Sequence, residues 1–247
     1  MGLGEFFAKR RETKRASTIA AMTARLKNPY GQQVDRKRCI DVLSEIGTDD
    51  AIRGLLLRFT YNADKSIVDE DEKEIIFNLL LSRGDAVVPL LKEYLSEQAS
   101  IFWPLKALRK IVGDEETVTF LLGLIDSMEG DYVDTRHFER KLSLISQLRD
   151  FQDPRIHERL LAWLSDPEEE IRFHAVDAIA TYPDPQTTAV LADRLLVEDE
   201  TARIRNFVLD LLIQNHWAIP KTHRKDLRTR IPEEFWIDDT GVIQRKK

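Results

Sequence analysis

The sequence predicts an all-α fold in which helical hairpins repeat along the chain and stack as an α-solenoid. Glycine and proline are scarce, at 10 and 9 of 247 residues, which argues against a turn-rich β architecture. Good helix formers such as leucine, alanine, glutamate, arginine and lysine recur throughout. In addition, one pattern occurs five times, in which a capping residue is followed seven positions later by a leucine. These leucines are Leu56, Leu91, Leu121, Leu160 and Leu191.

Each of the five segments has the features of a helix start. In the clearest one, Asp153 can accept a hydrogen bond from an orphan amide, and Pro154 lacks an amide that would be orphaned anyway. Apolar residues then follow at helical spacing, at Ile156, Leu160 and Leu164. The other starts are Thr48-Asp49, Gly84, Asp114 and Asp184-Pro185.

A further helix precedes each segment, so the predicted repeating unit is a helix, a turn and a second helix. The leucines are spaced by 35, 30, 39 and 31 residues, because the linker Tyr61–Asp69 and an insert at Asp126–Thr135 stretch the period. We expect the insert to be a surface loop. One hairpin cannot bury its own apolar face, whereas a stack can; an irregular helical bundle is the alternative. The predicted first helices are Val34–Ile46, Glu70–Leu81, Ile101–Val112, Arg136–Leu148, Glu168–Ala180 and Thr201–Gln214.

One stretch of the chain carries a distinctive form of this repeat. An Asp-Pro start is followed by an Ile-Arg pair and by an alanine-rich first helix. The residues are Asp166, Pro167, Ile171, Arg172, Ala175 and Ala178. The pattern resembles HEAT repeats, in particular the short bacterial HEAT-like class, and the resemblance is closest over residues 150–215. It implies about five to six HEAT-like hairpins whose small residues let neighbouring helices approach closely, and a role in binding rather than in catalysis.

We predict three regions along the chain. Residues 1–32 form a basic N-terminal extension with a capping helix from about Glu12 to Lys27. Residues 33–220 form the repeat solenoid. Residues 221–247 form a polar helix followed by a small β-hairpin. Terminal repeats of a solenoid need such caps, because their outer faces have no neighbouring repeat.

The formal net charge of −6 is unevenly spread. Residues 1–38 carry a net +7 and residues 221–247 a net +3, which leaves −16 on residues 39–220. An acidic repeat body favours a protein partner with a basic surface and argues against a nucleic-acid track along the repeats. We expect the acidic residues at the entry of the second repeat to form a solvated helix start. They are Asp64, Asp69, Glu70, Asp71, Glu72 and Glu74.

Two terminal segments supply the candidate partner-binding residues. The N-terminal segment combines two aromatic residues with a basic cluster, although its apolar stripe is short for an interfacial helix. The C-terminal segment lies on a predicted hairpin of residues 235–237 and 242–244, which is marginal alone in water and must lie on the last repeat or on a partner. The candidates are Phe6, Phe7, Lys9, Arg10, Arg11, Lys14 and Arg15 in the first segment, and Phe235 and Trp236 in the second.

The sequence lacks the usual signatures of catalytic and metal sites. It contains no P-loop, nucleophile elbow, dinucleotide fingerprint or HExxH pair. Its one cysteine, Cys39, stands where the first repeat needs an apolar residue, and the single pair His157-Glu158 is too little for a di-iron centre. We therefore predict no cofactor, no metal site and no enzymatic activity.

The predicted function is that of an adaptor or scaffold that presents an elongated surface, lined by the second helices, to a protein partner. One alternative is nucleic-acid or anionic-membrane binding through the basic ends. Another is a regulatory subunit that docks on a larger enzyme through Trp236. Some DNA glycosylases are also built from HEAT-like repeats and use tryptophans, but Trp103, Trp163 and Trp217 here have core-like spacing. Because Gly2–Lys27 lacks the apolar core of a signal peptide, we expect cytoplasmic localisation.

Overall fold

The computed structural model describes residues 3–64, 66–128, 135–182 and 185–246. The chain divides into two compact units, and each has its own buried apolar core. The first unit takes in the described residues up to Ser127 and residues 135–140. The second takes in Met128 and residues 141–246.

The prediction of an all-α fold is confirmed. The first unit contains α1 (Leu3–Leu26), α2 (Gln33–Ile46), α3 (Asp49–Leu56), α4 (Ser66–Arg83), α5 (Val88–Glu97) and α6 (Phe102–Ser127). Helix α7 (Thr135–Leu148) begins in the first unit and continues in the second. The second unit contains α8 (Pro154–Trp163), α9 (Glu169–Ile179), α10 (Pro185–Leu196), α11 (Ala202–Gln214) and α12 (Lys221–Arg230), followed by strands β1 (Phe235–Ile237) and β2 (Ile243–Arg245).

The helices of the first unit pair into hairpins that stack in register. The first hairpin is α2 with α3, and the second is α4 with α5. The first helices α2 and α4 pack on each other, the second helices α3 and α5 pack on each other, and α1 covers both α2 and α3. Leu43, Leu55, Ile76 and Leu91 come from these four helices and are fully buried. Each hairpin therefore buries its apolar face against its neighbour, as a repeat stack requires.

Helix α6 contains both helices of the third predicted hairpin. Gly113 breaks it, with φ 81° and ψ 176°, at the boundary that the sequence predicts between a helix ending at Val112 and one starting at Asp114. At the break, the Thr117 hydroxyl donates a 2.7 Å hydrogen bond to the Gly113 carbonyl. Glycine suits this position because it has no Cβ to clash at positive φ.

The second unit repeats the same packing. Helices α9 and α11 contact each other as first helices, α10 and α12 contact each other as second helices, and the strands pack on α11 and α12. Ala175 and Ala178 are fully buried, as the expected close approach of neighbouring helices requires. At the N-terminus of α8 the Asp153 carboxylate accepts a hydrogen bond from the Arg155 amide, which confirms the predicted cap.

The structure corrects the predicted entry of the second repeat. Helix α4 begins at Ser66 rather than Glu70, and two acids of the expected solvated start are buried, Asp69 at 7% exposure and Glu72 at 3%. Cations from neighbouring elements explain this burial, because Arg58 lies 2.7 Å from Asp69 and 2.8 Å from Glu72. The helix dipole alone is therefore not what holds these two carboxylates.

Helix α1 is longer than the sequence predicts. It begins at Leu3, whereas the pattern placed its start near Glu12, because the apolar stripe before that point is short and runs into basic residues. Two other predictions fall largely outside the described residues. One is the loop predicted for the insert, of which residues 129–134 are not described, and the other is the helix cap at Asp184.

Candidate functional site

A groove lies between the second helices of the first two hairpins, α3 and α5. It has a volume of about 210 Å³, an apolar floor and a polar rim. Arg53 on α3 bridges the groove to Glu93 on α5 with an Nε–Oε1 distance of 2.9 Å. Both side chains are more than 40% exposed, so the pair is screened by water and adds little to stability. The lining residues are Arg53, Leu56, Leu57, Leu90, Glu93, Tyr94, Glu97 and Gln98.

Carboxylates outnumber cations around this groove. Among its lining residues, Glu93 and Glu97 lie on the exposed side of α5, and Arg53 is the one cation. The Arg53 hydrogen bond lowers the pKa of Glu93, so this carboxylate stays charged at neutral pH. The groove therefore combines an apolar floor with a negatively charged rim. The sequence analysis named the second helices but none of these residues, since their convergence depends on the α3–α5 packing.

The basic N-terminal candidates lie together on the free half of α1. Every described side chain from Glu5 to Ser17 is exposed, and burial begins at Ile19 and ends at Leu26. Phe7 is 52% exposed, and the side chain of Phe6 lies outside the described part of the structure. Within the described residues, none of the five cations takes part in an ion pair. They are Lys9, Arg10, Arg11, Lys14 and Arg15.

A second groove runs between α1 and the end of α2. Its volume is about 550 Å³, and three of the five cations face it from one side while Glu45 faces it from the other. The lining residues are Arg11, Lys14, Arg15, Thr18, Val42, Glu45 and Ile46.

The C-terminal candidates are adjacent in sequence but face opposite ways. On β1, Phe235 and Ile237 are buried and Trp236 between them is 48% exposed, as the alternation of a strand requires. Arg245 on β2 stacks its guanidinium 5.1 Å from the centroid of the Phe235 ring. Phe235 is thus the anchor of the hairpin on the second unit, and Trp236 is the residue left accessible.

The turn of this hairpin is organised by one carboxylate. Asp238 accepts hydrogen bonds from the Thr240 hydroxyl, the Gln244 amide and the backbone amides of Gly241 and Val242. Together these bonds lower the pKa of Asp238 to about 2, and the hydrogen bond from the Thr240 hydroxyl contributes most.

The residues considered for chemistry have structural roles. Cys39 is buried, and burial raises the pKa of its thiol. His157 is also buried, stacks on Tyr182 at 4.8 Å and lies 3.1 Å from the Thr187 hydroxyl. Within the described ranges, no group of three or more histidine, cysteine or acidic residues is placed to hold a metal ion.

The three tryptophans compared above with those of DNA glycosylases are buried or half-buried in the fold. Trp163 is 4% exposed, with the Lys141 ammonium 5.1 Å from its ring centroid. Trp103 stacks on the buried Phe59, and Trp217 is half-buried.

Buried ion pairs join successive hairpins of the second unit. Lys141 on α7 lies 2.5 Å from Asp166 before α9, and Arg172 on α9 lies 3.2 Å from Glu200 before α11. Residues 137–210, which include both pairs, match the family model described as HEAT repeats. Residues 137–210 carry HEAT repeats. The match spans α8 to α10 and most of α7 and α11, and it bears out the resemblance that the Asp-Pro and Ile-Arg pattern suggested.

HEAT repeats generally serve as protein-interaction scaffolds and are typically non-catalytic. No curated protein sequence and no solved structure matches the chain at a significant level. Among the described residues, none of the helices is both long enough and apolar enough to cross a bilayer.

Proposed function

We propose that this HEAT-repeat chain is a non-enzymatic adaptor that takes a protein partner with a basic surface along its second helices. The observation that carries the proposal is the groove between α3 and α5, with its apolar floor and acidic rim. A partner side chain can enter the floor while its lysines or arginines meet Glu93 and Glu97, and such charge complementarity speeds association and selects the partner.

The contact between Arg53 and Glu93 has a role in this binding. Exposed ion pairs of this kind contribute little to stability because water screens them, so a partner cation can displace Arg53 from Glu93 at low cost. Glu97 makes no ion pair among the described residues and is the free carboxylate of the rim. We expect Glu97 to contribute most to the specificity for a basic partner.

Charge reversal at the rim tests the proposal. Full-length chain and its Glu97→Lys variant are used to capture proteins from an extract of the native cell after nuclease treatment. Glu74→Lys is the matched control, because Glu74 is an exposed glutamate on the first helix α4. A photo-crosslinking residue at Leu57, on the groove lining, identifies what touches the site.

A protein that crosslinks at position 57, is lost with Glu97→Lys and is retained with Glu74→Lys would support the adaptor. Equal capture by both variants would refute binding at this groove.

The exposed half of α1 supports a second candidate function, binding of a phosphate backbone. Lys9, Arg10 and Arg11 are consecutive, so their side chains point around most of the helix circumference rather than along one face. An interfacial helix on a membrane needs a wide apolar face opposite its charges. The arrangement therefore favours a nucleic acid over a lipid surface.

Salt dependence tests this second candidate. If five cations contact phosphates, the plot of log affinity against log salt for a DNA or RNA oligonucleotide should have a slope of about −3.5 to −4.5. Arg10→Gln with Lys14→Gln should make the slope shallower by roughly 1.4 to 1.8, while Lys225→Gln on α12 should leave it unchanged. Binding to phosphatidylserine vesicles but not to oligonucleotides would contradict the nucleic-acid candidate.

A further inference from the structure

A lysine on α6 sits over three aromatic rings at the surface of the first unit. The Lys106 ammonium lies 4.9 Å from the ring centroid of Trp103, 5.2 Å from that of Phe77 and 5.9 Å from that of Phe102. The rings also contact one another, with centroids 5.6 Å apart for Phe77 and Trp103 and 5.7 Å apart for Phe102 and Trp103. We call these four residues the aromatic–lysine cluster.

The cluster is accessible from solvent. Phe102 is 50% exposed, Lys106 is exposed and Trp103 is half-buried, while Phe77 is 8% exposed and forms the floor. Large aromatic side chains are normally covered, since each buries a large apolar area. Phe102 is therefore exposed enough to contact a partner.

The charge of the cluster is positive and unneutralised. Lys110 follows Lys106 by one helical turn and is also exposed, so the two ammonium groups lie on one side of α6. Among the residues that the structure describes, neither ammonium takes part in an ion pair. Arg109 between them is neutralised by Asp114, at 2.6 Å. The cluster is thus a cationic and aromatic patch on a repeat body whose net charge is −16.

We infer that the aromatic–lysine cluster binds an acidic protein segment that carries an apolar side chain beside its carboxylates. The Lys106 side chain is exposed beside the three rings, so a carboxylate from solvent can reach its ammonium and accept charge-assisted hydrogen bonds. The ring contacts already restrict the lysine rotamers, so less freedom is lost on binding. The exposed half of Phe102 accommodates the apolar side chain.

Other ligand classes fit these observations less well. A methylated lysine or another external cation would meet the like charge of Lys106, which already occupies the ring faces. A nucleic acid needs a longer cationic track than the pair Lys106 and Lys110 provides. An acidic segment with an apolar side chain would both pair with the lysine charge and cover the exposed part of Phe102.

This inference is independent of the proposed groove. The cluster lies on the first helices, α4 and the first half of α6, whereas the groove lies between the second helices α3 and α5. A chain with both surfaces would bind one basic and one acidic partner, and each site can fail without the other.

The test is a peptide titration monitored by nuclear magnetic resonance of the full-length chain. The probe is a synthetic peptide in which glutamates flank one phenylalanine, and its matched control has alanine instead. The indole N–H of Trp103, assigned with a Trp103→Phe variant, reports binding at the cluster. We expect the Trp103 signal to shift with the first peptide and to shift less with the second.

Single substitutions then locate the contacts. We expect Lys106→Gln to weaken peptide binding about tenfold, which is the scale of one charge-assisted hydrogen bond. Phe102→Ala should also weaken binding about tenfold, because the apolar contact with the ring is lost. Lys37→Gln, an exposed lysine on α2, should leave the affinity unchanged.

The inference would be overturned if the peptide did not shift the Trp103 signal, or if Lys106→Gln and Lys37→Gln bound the peptide with equal affinity. It would also be overturned if a trimethyl-lysine peptide or an oligonucleotide shifted the Trp103 signal and bound more strongly. Because Phe102 and Lys106 are exposed, both variants should fold, and an unchanged dispersion of the other amide signals verifies it.

Discussion

Arg172 and Arg194 lie 22 positions apart in the chain and pair with the same carboxylate, that of Glu200. The distances are 3.2 Å from Arg172 Nη2 to Oε1 and 2.6 Å from Arg194 Nε to Oε2, and the Glu200 side chain is fully buried. Arg172 belongs to the first helix of a hairpin, Arg194 to the second, and Glu200 precedes the first helix of the next hairpin. One glutamate thus holds both helices of the preceding repeat.

The first unit contains the same arrangement. Arg36 and Arg58, also 22 positions apart, lie 2.9 Å and 2.8 Å from the carboxylate of Glu72 on α4. All three side chains are at most 6% exposed. Because burying an ion is costly unless it is paired and hydrogen-bonded, this network couples the fold of each hairpin to the position of the next.

Loss of the Glu72 charge should destabilise the first unit strongly. Among the described residues, Glu72→Gln leaves Arg36 with no paired carboxylate and Arg58 with only Asp69. We therefore expect the free energy of unfolding to fall by about 3–5 kcal/mol. Urea denaturation followed by circular dichroism measures it. Glu70→Gln, an exposed neighbour on α4, is the control and should change stability by less than about 0.5 kcal/mol. Similar values for the two variants would contradict the network.

Acid should open the C-terminal hairpin over a defined pH range. The pKa of Asp238 is about 2 in the folded chain, below the value of about 3.9 for an unfolded aspartate. A lowered folded pKa means that the contribution to stability is complete above about pH 4 and is lost as the pH falls towards 2. The fluorescence of Trp236, compared with that of Trp236→Phe, monitors the opening.

Asp238→Asn keeps the shape of the side chain and removes the titration. It should weaken the hairpin at neutral pH and abolish the dependence on pH between 4 and 2. A dependence that persists in this variant would assign the transition to other groups.

Two glycines with positive φ should respond differently to alanine. Gly47 has φ 61° and Gly84 has φ 55°, so both alanine variants lose roughly 1–2 kcal/mol from the left-handed backbone. At Gly47 the added methyl also meets the guanidinium of Arg83, which donates hydrogen bonds to the carbonyls of Gly47 and Ser44 at the end of α2. At Gly84 the methyl meets open space.

We therefore expect Gly47→Ala to cost about 1–3 kcal/mol more than Gly84→Ala, since Arg83 must also leave its carbonyls. Chemical denaturation of both variants measures the difference. Equal losses would show that backbone strain alone determines the loss of stability at both positions.

His216 offers a stabilising substitution. It has φ 52° directly after α11, where its amide bonds to the Ile213 carbonyl and the Trp217 amide bonds to the Leu212 carbonyl. These two bonds define a Schellman cap, in which glycine is the preferred residue. His216→Gly should raise stability by about 1 kcal/mol and the melting temperature by about 2–4 °C. His216→Ala retains Cβ and should give no gain, so an equal rise in both variants would contradict the explanation.

Local patterns were sufficient to predict the bounds of several helices. The predicted helix Val34–Ile46 is observed as Gln33–Ile46, and Thr201–Gln214 as Ala202–Gln214 with Thr201 as its cap. Both depend on capping and on a spacing of apolar residues that a few turns of chain contain. The predicted boundaries of the three regions remain predictions.

The candidate sites were less predictable. The N-terminal cations were found from composition, because a cluster of charges is visible in the sequence. The groove residues Leu57 and Glu97 and the aromatic–lysine pair Phe77 and Lys106 come from different helices, and nothing within one helix indicates that they meet. The aromatic residues Phe102 and Trp103 one turn before Lys106 are visible in the sequence, whereas Phe77 comes from another helix.

By itself, the sequence determined that the chain folds into repeated helical hairpins with acidic surfaces and basic ends, since helix propensity, capping and charge act over a few residues. Only the tertiary structure decided that Asp69 and Glu72 are buried and that Trp236, not Phe235, remains exposed. The physical reason is that burial of a charge depends on a partner brought from another helix, as Arg58 is here. Likewise, which face of a strand is covered depends on the helices against which it packs.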